Sequence, residues 1–149
     1  MKHKITHFDG HALYKIFADG ILNLSKHQNT LDEINVFPVP DGDTGTNMAF
    51  TLLPIVEECS EQVTDIASET YSLMANTALD SARGNSGTII AQYFYGMSEV
   101  NKNIDKIDVF NFAKGLINAN QSARDSLTNP EEGTIITVMN DVADESQRL

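Results

Sequence analysis

The chain has 149 residues, 41% of them hydrophobic, and its 10 Lys and Arg against 21 Asp and Glu leave a net charge of −11. That length suits a single domain, able to bury about 70% of the surface its unfolded form would expose, and the hydrophobic fraction is too high for general disorder. So acidic a chain argues against nucleic acid or an anionic membrane as main partner, because both need a basic face; a phosphate would be held only by a local cationic patch or a bound metal.

Leu13, Ile16, Phe17, Ile21, Leu22 and Leu24 recur at three- and four-residue intervals and predict a first helix. A second runs from about Thr46 through Met48, Leu52, Leu53, Ile55 and Val56, with Pro54 predicting a kink because it removes one backbone bond. A third covers roughly Ile66 to Ala82, and a fourth about Ser86 to Val100 with Ile89, Ile90, Tyr93, Phe94 and Met97 on it. A fifth follows Asp108, with Val109, Phe110, Phe112, Leu116 and Ile117, and a sixth opens near Thr134 and reaches the end of the chain. No run alternates with period two between turn signals, so the expected class is all-α.

Cys59 is the single cysteine, which excludes an intrachain disulfide and argues against a Cys-based zinc site. The segment Met1 to His7 lacks the apolar core of a signal peptide, and no stretch reaches the 18 or so apolar residues of a membrane span. A reducing cytoplasm is the expected compartment.

Glycine and proline mark three breaks: Val36 to Gly45, Arg83 to Gly87, and Asn129 to Gly133. They precede the second, fourth and sixth predicted helices. If short connections make neighbouring helices antiparallel, all three breaks gather at one rim. Each then delivers a helix N-terminus with free N–H groups and a partial positive charge, which suits an anion.

The first break carries the most chemistry. Pro38 and Pro40 fix their own φ and push Phe37 and Val39 into extended backbone, so a stiff segment delivers Asp41 and Asp43 on either side of Gly42. Carboxylates so close repel, and a hard divalent cation such as Mg²⁺, which takes oxygen from one or two carboxylates plus substrate phosphates, relieves the repulsion. Thr44, Gly45, Thr46 and Asn47 then start a helix and offer backbone N–H groups and hydroxyls to phosphate. The alternative is a proline-braced turn in which Asp41 or Asp43 is a plain N-cap; the prolines, the Thr-Gly-Thr-Asn run and the upstream Asp32-Glu33 tip the balance toward metal and phosphate. Arg83-Gly84-Asn85-Ser86-Gly87 reads as a second anion-holding turn, with Asn85 or Ser86 as cap and Arg83 as a source of charge. Glu132-Gly133-Thr134 is a weaker third, in which Thr134 is either a site residue or only a cap.

Other features read as bland. His3, His7 and His11 have ligand-like spacing, but Gly10 lies among them, so a metal site there is not the favoured reading. His27 reads as a solvated helix end, and Glu57, Glu58 and Glu61 as a solvated face. Tyr93, Phe94, Phe110 and Phe112 fit core packing, Met48, Met74 and Met97 fit gap-filling, and Cys59 fits a small buried apolar residue.

Asn35-Val36-Phe37-Pro38-Val39-Pro40-Asp41-Gly42-Asp43-Thr44-Gly45-Thr46-Asn47-Met48 closely resembles the start of the ATP-binding L domain of dihydroxyacetone kinases. The nearest variety is the N-terminal kinase domain of bacterial fatty acid kinase. Arg83 to Gly87 followed by Ile89, Ile90 and Gln92, and then Glu132-Gly133-Thr134, match that family in order. The resemblance implies an eight-helix antiparallel barrel with ATP and Mg²⁺ at one rim. By position it implies Asp41 and Asp43 as Mg²⁺ ligands and the catalytic pair, with Asn35 standing where dihydroxyacetone kinases carry a third Asp. It implies Thr44, Gly45, Thr46 and Asn47 as nucleotide-phosphate contacts, Asn85 and Ser86 as their counterparts at the fourth helix, and Thr134 as a neighbour of the nucleotide. A complete domain of this kind runs to about 200 residues, with two further helices and an Asp-Ser-Gly-Gly-like segment. The expectation is therefore one nucleotide-binding domain over 1–149, with about six of the eight helices, either a fragment or a shortened relative, whose uncovered apolar surface favours self-association.

The expected activity is phosphoryl transfer from ATP, the acceptor being a fatty acid presented by a separate binding protein that docks over the nucleotide rim. The alternatives are a dihydroxyacetone-type kinase subunit, a non-catalytic module that binds nucleotide or partners, and a metal-dependent phosphohydrolase.

Overall fold

The computed structural model describes residues 6–148, and it is an all-α fold with one small sheet. The helices are α1 (Gly10–Lys26), α2 (Gln28–Glu33), α3 (Thr44–Glu58), α4 (Ala67–Asp80), α5 (Gly84–Val100), α6 (Val109–Asp125) and α7 (Ile135–Ser146). Strands β1 (His7–Phe8) and β2 (Ile107–Asp108) pair antiparallel, His7 opposite Asp108 and Phe8 opposite Ile107.

The six predicted helices are all present, and side chains cap the starts of α1, α6 and α7. Asp9 caps α1 by accepting the amide of Ala12 at 2.9 Å, and Asp108 caps α6 through Asn111 at 2.7 Å. Helix α3 continues through Pro54. The carbonyl that Pro54 leaves without a donor belongs to Phe50, on the outward side of the helix, where water can satisfy it.

α5 is the central helix and packs against α3, α4 and α6, while α7 leans on α6. The main core joins Leu13, Ile21, Leu52, Ile55, Tyr71, Met74, Phe94 and Met97, with Phe17 stacked between Phe94 and Tyr71 at 5.2 and 6.3 Å. A smaller cluster of Ile89, Ala123, Ile136 and Met139 seats α7. Burial with no partner for its hydroxyl pushes the Tyr71 phenol far up, and burial raises Tyr93 to about 12.

Three features of the fold depart from expectation. The short helix α2 and the β1–β2 pair were not foreseen. Phe110 is not a core residue: it is 76% exposed, because Phe112 faces Phe8 at 6.1 Å and residues two apart on a helix point about 200° apart. His7 lies on β1 while His11 lies on α1 beside Asp65 at 3.7 Å, so the histidine spacing does not gather a site; His3 falls outside the described residues. Among the described residues no group of three or more His, Cys, Asp or Glu could hold a metal by itself, and no helix is long and apolar enough to cross a membrane.

Cys59 behaves as expected of a buried thiol. It is fully buried against Thr77 at 3.3 Å, and desolvation raises its pKa. The native chain should therefore leave Ellman's reagent uncoloured until denaturant is added; rapid native reaction would contradict this burial.

Candidate functional site

The three glycine-containing breaks do meet. The N-terminal turns of α3, α5 and α7 border one cavity of about 1010 Å³, which Gly20, Asn23 and Leu24 of α1 and its C-cap His27 also line. The short helix α2 reaches the same cavity through Leu31. Asp41, Asp43, Thr44, Asn47, Asn85, Ser86, Thr134 and Asn35 all line this cavity; Gly45 and Thr46 do not.

The loop from Ile34 to Asp43 is built around Asn35. Its Nδ2 donates to the carbonyl of Val39 at 2.9 Å, and its Oδ1 accepts from the amides of Asp43 and Thr44 and from the Thr44 hydroxyl at 3.2, 3.3 and 2.9 Å. Three protein donors therefore occupy the amide oxygen that the resemblance assigns to a cation, and the geometry gives Asn35 to the loop. The carboxylates of Asp41 and Asp43, by contrast, accept no hydrogen bond and form no ion pair among the described residues. Asp43 begins α3 through its backbone, its carbonyl accepting from Asn47 at 2.8 Å, and its side chain makes no capping bond. Both carboxylates thus keep their oxygens for a cation, and the pair fits the one or two carboxylates that Mg²⁺ takes alongside phosphate.

The first turn of α3 is spent differently from expectation. Asp32, at the end of α2, accepts the Thr46 amide at 3.0 Å and the Thr46 hydroxyl at 2.6 Å. Burial works against ionisation of Asp32, yet the bonds from Thr46 and from the Gly45 amide outweigh it and hold the carboxyl below its ordinary value. Gly45 is pressed against α2, where a Cβ would meet the carbonyl of Gln28 at 2.2 Å, and Gln28 donates to the Thr46 hydroxyl at 3.0 Å. The amides of Gly45 and Thr46 therefore answer to Asp32 and not to a phosphate in the cavity.

α5 opens the other way. It begins at Gly84, so neither Asn85 nor Ser86 is its cap; Arg83 holds that position in extended backbone and makes no side-chain capping bond. The amides of Gly84, Asn85 and Ser86 have no acceptor among the described residues, which leaves an uncapped helix N-terminus at the cavity. Arg83 does not line the cavity: its guanidinium lies 4.7 Å over the Phe50 ring. Asn47, only 7% exposed, presses its carboxamide against Gly84 and has no hydrogen-bond partner for it among the described residues. The two turns are tied together by Thr51, whose hydroxyl donates to Asn47 O at 2.8 Å and accepts the Arg83 amide at 3.1 Å, and by Ser86, whose hydroxyl donates to Thr44 O at 3.1 Å.

The third turn is pinned by a network that sequence reasoning missed. Arg124 reaches Glu132 at 2.9 Å, Glu132 accepts from the Thr137 hydroxyl at 2.6 Å, and Thr137 accepts the Gly133 amide at 2.8 Å. Thr134 is the N-cap of α7, accepting from Ile136 at 3.2 Å, and it also borders the cavity.

Among the described residues no lysine or arginine lines the cavity, whereas Asp41, Asp43 and Glu131 do; Leu24, Leu31, Met48, Ile89 and Ile135 form its apolar wall. Two carboxylates that no described residue engages and an uncapped helix N-terminus thus line one cavity of an all-α domain. The chain belongs to the DAK2 domain family, whose model matches residues 38–148, and it is thus an L domain of the dihydroxyacetone kinase type. That family is kinase-like and associated with nucleotide binding. Protein YloV of Bacillus subtilis is 37% identical over 145 residues, covering 97% of this chain and 26% of that protein. An uncharacterized protein of Staphylococcus saprophyticus is 36% identical over 140 residues, 94% of this chain and 25% of its own length. One from Staphylococcus aureus strain USA300 is 37% identical over 133 residues, 87% of this chain and 24% of its own. The chain spans about a quarter of the length of these relatives.

Proposed function

We propose that this chain binds ATP as its magnesium complex and forms the nucleotide-binding part of a phosphotransferase of the fatty acid kinase type. The observation that carries this reading is the make-up of the cavity: two carboxylates with no partner among the described residues share it with an uncapped helix N-terminus, and no lysine or arginine among those residues lines it to neutralise a phosphate. Such a lining repels a bare triphosphate and accepts one that brings its cation.

In this reading Asp41 and Asp43 hold Mg²⁺, which when bound neutralises charge along the phosphates. The amides of Gly84, Asn85 and Ser86 receive phosphate oxygens, with the Asn47 carboxamide beside them and Thr44 and Thr134 at the border. Gly45, Thr46 and Asn35 support that arrangement from behind. Phosphoryl transfer through a loose transition state asks mainly for such positioning and charge stabilisation, so no dedicated general base is needed in the cavity.

The acceptor is taken from the resemblance to the fatty acid kinase branch. A fatty acid carboxylate oxygen attacks the γ-phosphorus, the bond to the bridging oxygen breaks, and ADP leaves with an acyl phosphate as product. The fatty acid arrives on a separate binding protein. Ile34, Val36, Phe37 and Val39, each more than half exposed beside the cavity mouth, offer an apolar ridge on which such a carrier would seat.

Acyl phosphates react with hydroxylamine to give hydroxamates. Incubation of the chain with ATP, Mg²⁺, hydroxylamine and a lipid-loaded carrier should yield fatty hydroxamate only when all are present. Phosphorylation of dihydroxyacetone in place of the fatty acid would refute the acceptor assignment.

A further inference from the structure

We infer that Asp32 is a specificity-determining residue, whose carboxylate cancels the positive end of α3 and so restricts the cavity to nucleotide that arrives with its cation. The inference rests on the Mg²⁺–nucleotide reading above.

The argument begins with an asymmetry between two helix ends at the same cavity. The N-terminus of α5 is uncapped by any side chain. The N-terminus of α3 is closed by a full negative charge, because Asp32 takes the Thr46 amide at 3.0 Å and the Thr46 hydroxyl at 2.6 Å. A helix N-terminus carries about half a positive charge, and a carboxylate against its first turn offsets it. Thr44 and Asn47 of that same turn face the cavity, so the offset is felt there.

An Asp is not needed at this place for capping alone. Asn and Ser cap helices about as well as Asp does, and neither brings a charge. Nor is Asp32 needed to hold α2 against α3, since Gly45 already lies in contact with Gln28 and Leu31 and Gln28 donates to Thr46 at 3.0 Å. What only the carboxylate supplies is charge. With it, a bare triphosphate meets Asp41, Asp43 and a neutralised α3 end, and must bring a cation to enter. With a neutral residue in its place, the positive end of α3 would attract free phosphate as the end of α5 does.

The test is calorimetric titration of ATP into the chain, once with Mg²⁺ and once with EDTA, for the parent, Asp32→Asn, Asp32→Ser and Gln28→Ala, with melting curves alongside. In both Asp32 variants the ratio of Kd in EDTA to Kd in Mg²⁺ should fall about tenfold, chiefly through tighter binding in EDTA. Gln28→Ala loosens the same helix contact without removing a charge and should leave the ratio unchanged. Equal weakening under both conditions in the Asp32 variants, or a ratio that stays at the parent value, would reduce Asp32 to a structural brace and overturn the inference. A parent chain whose ATP binding is indifferent to Mg²⁺ would instead sink the Mg²⁺–nucleotide reading, and this inference with it.

Discussion

An Asp43→Ala chain is expected to melt at the same temperature with and without Mg²⁺ and ATP, while the parent chain gains about 5–10 °C. Ligand at a hundred times its Kd stabilises the folded state by about 2.7 kcal/mol, and for a domain of this size each kcal/mol shifts the midpoint by about 2–4 °C. Losing even an outer partner of a metal site costs up to about a hundredfold in affinity, so losing one of two carboxylate ligands should cost at least that. The substitution is also clean. The Asp43 side chain makes no capping bond, and its carbonyl, which alanine retains, is what accepts the Asn47 amide at 2.8 Å. The unliganded variant should therefore melt within about 2 °C of the parent, because no structural contact of the side chain is lost. A variant that kept the parent's gain with Mg²⁺ and ATP would remove Asp43 from the metal site.

Gly84→Ala should do the reverse and damage the fold and the cavity together. Gly84 has φ +66°, and a Cβ there would lie 2.3 Å from Asn47 Nδ2 and 2.7 Å from its Cγ. Neither partner can step aside easily: Asn47 is buried, its carbonyl is tied to Thr51, and Thr51 is tied in turn to Arg83. Left-handed backbone costs a residue with a Cβ about 1 kcal/mol, and overpacking adds about 1–3 more, so a loss of about 2–4 kcal/mol is expected. Chemical denaturation checks this through its midpoint. A change below about 0.5 kcal/mol would show that α5 can shift, and that its close seating on α3 is not a constraint. The same α3–α5 approach depends on Gly87, where a Cβ would meet the Thr51 hydroxyl oxygen at 2.3 Å.

The long helices were legible because apolar residues recur with helical period over many turns, and that signal survives any detail of packing. Helix α2 was not, since Gln28–Glu33 holds a single apolar residue, Leu31, and offers no period to read. Strands of two residues are likewise too short to alternate. The gathering of three breaks at one rim was legible from counting helices, because alternation of direction needs only their order. What stayed hidden was how each rim residue is used. The bonds from Asp32 to Thr46 and from Asn35 to Thr44 join positions 14 and 9 residues apart, and they exist only because α2 folds back on α3. Arg83 was expected to face an anion, yet Phe50 on the neighbouring helix takes its guanidinium, a pairing that no local pattern encodes. The proline-stiffened loop does bring Asp41 and Asp43 to the cavity, where no described residue engages their carboxylates.

The most direct test of the central claim is calorimetric titration of ATP into the 149-residue chain with Mg²⁺ and then with EDTA. Binding of one ATP in Mg²⁺ that falls at least tenfold in EDTA is the predicted result, because the cavity has carboxylates and, among the described residues, no lysine or arginine to meet the phosphates. Heat that is absent in both, from a chain whose circular dichroism is helical, or binding equally tight in both, would contradict the account of this cavity as a site for a metal–nucleotide complex.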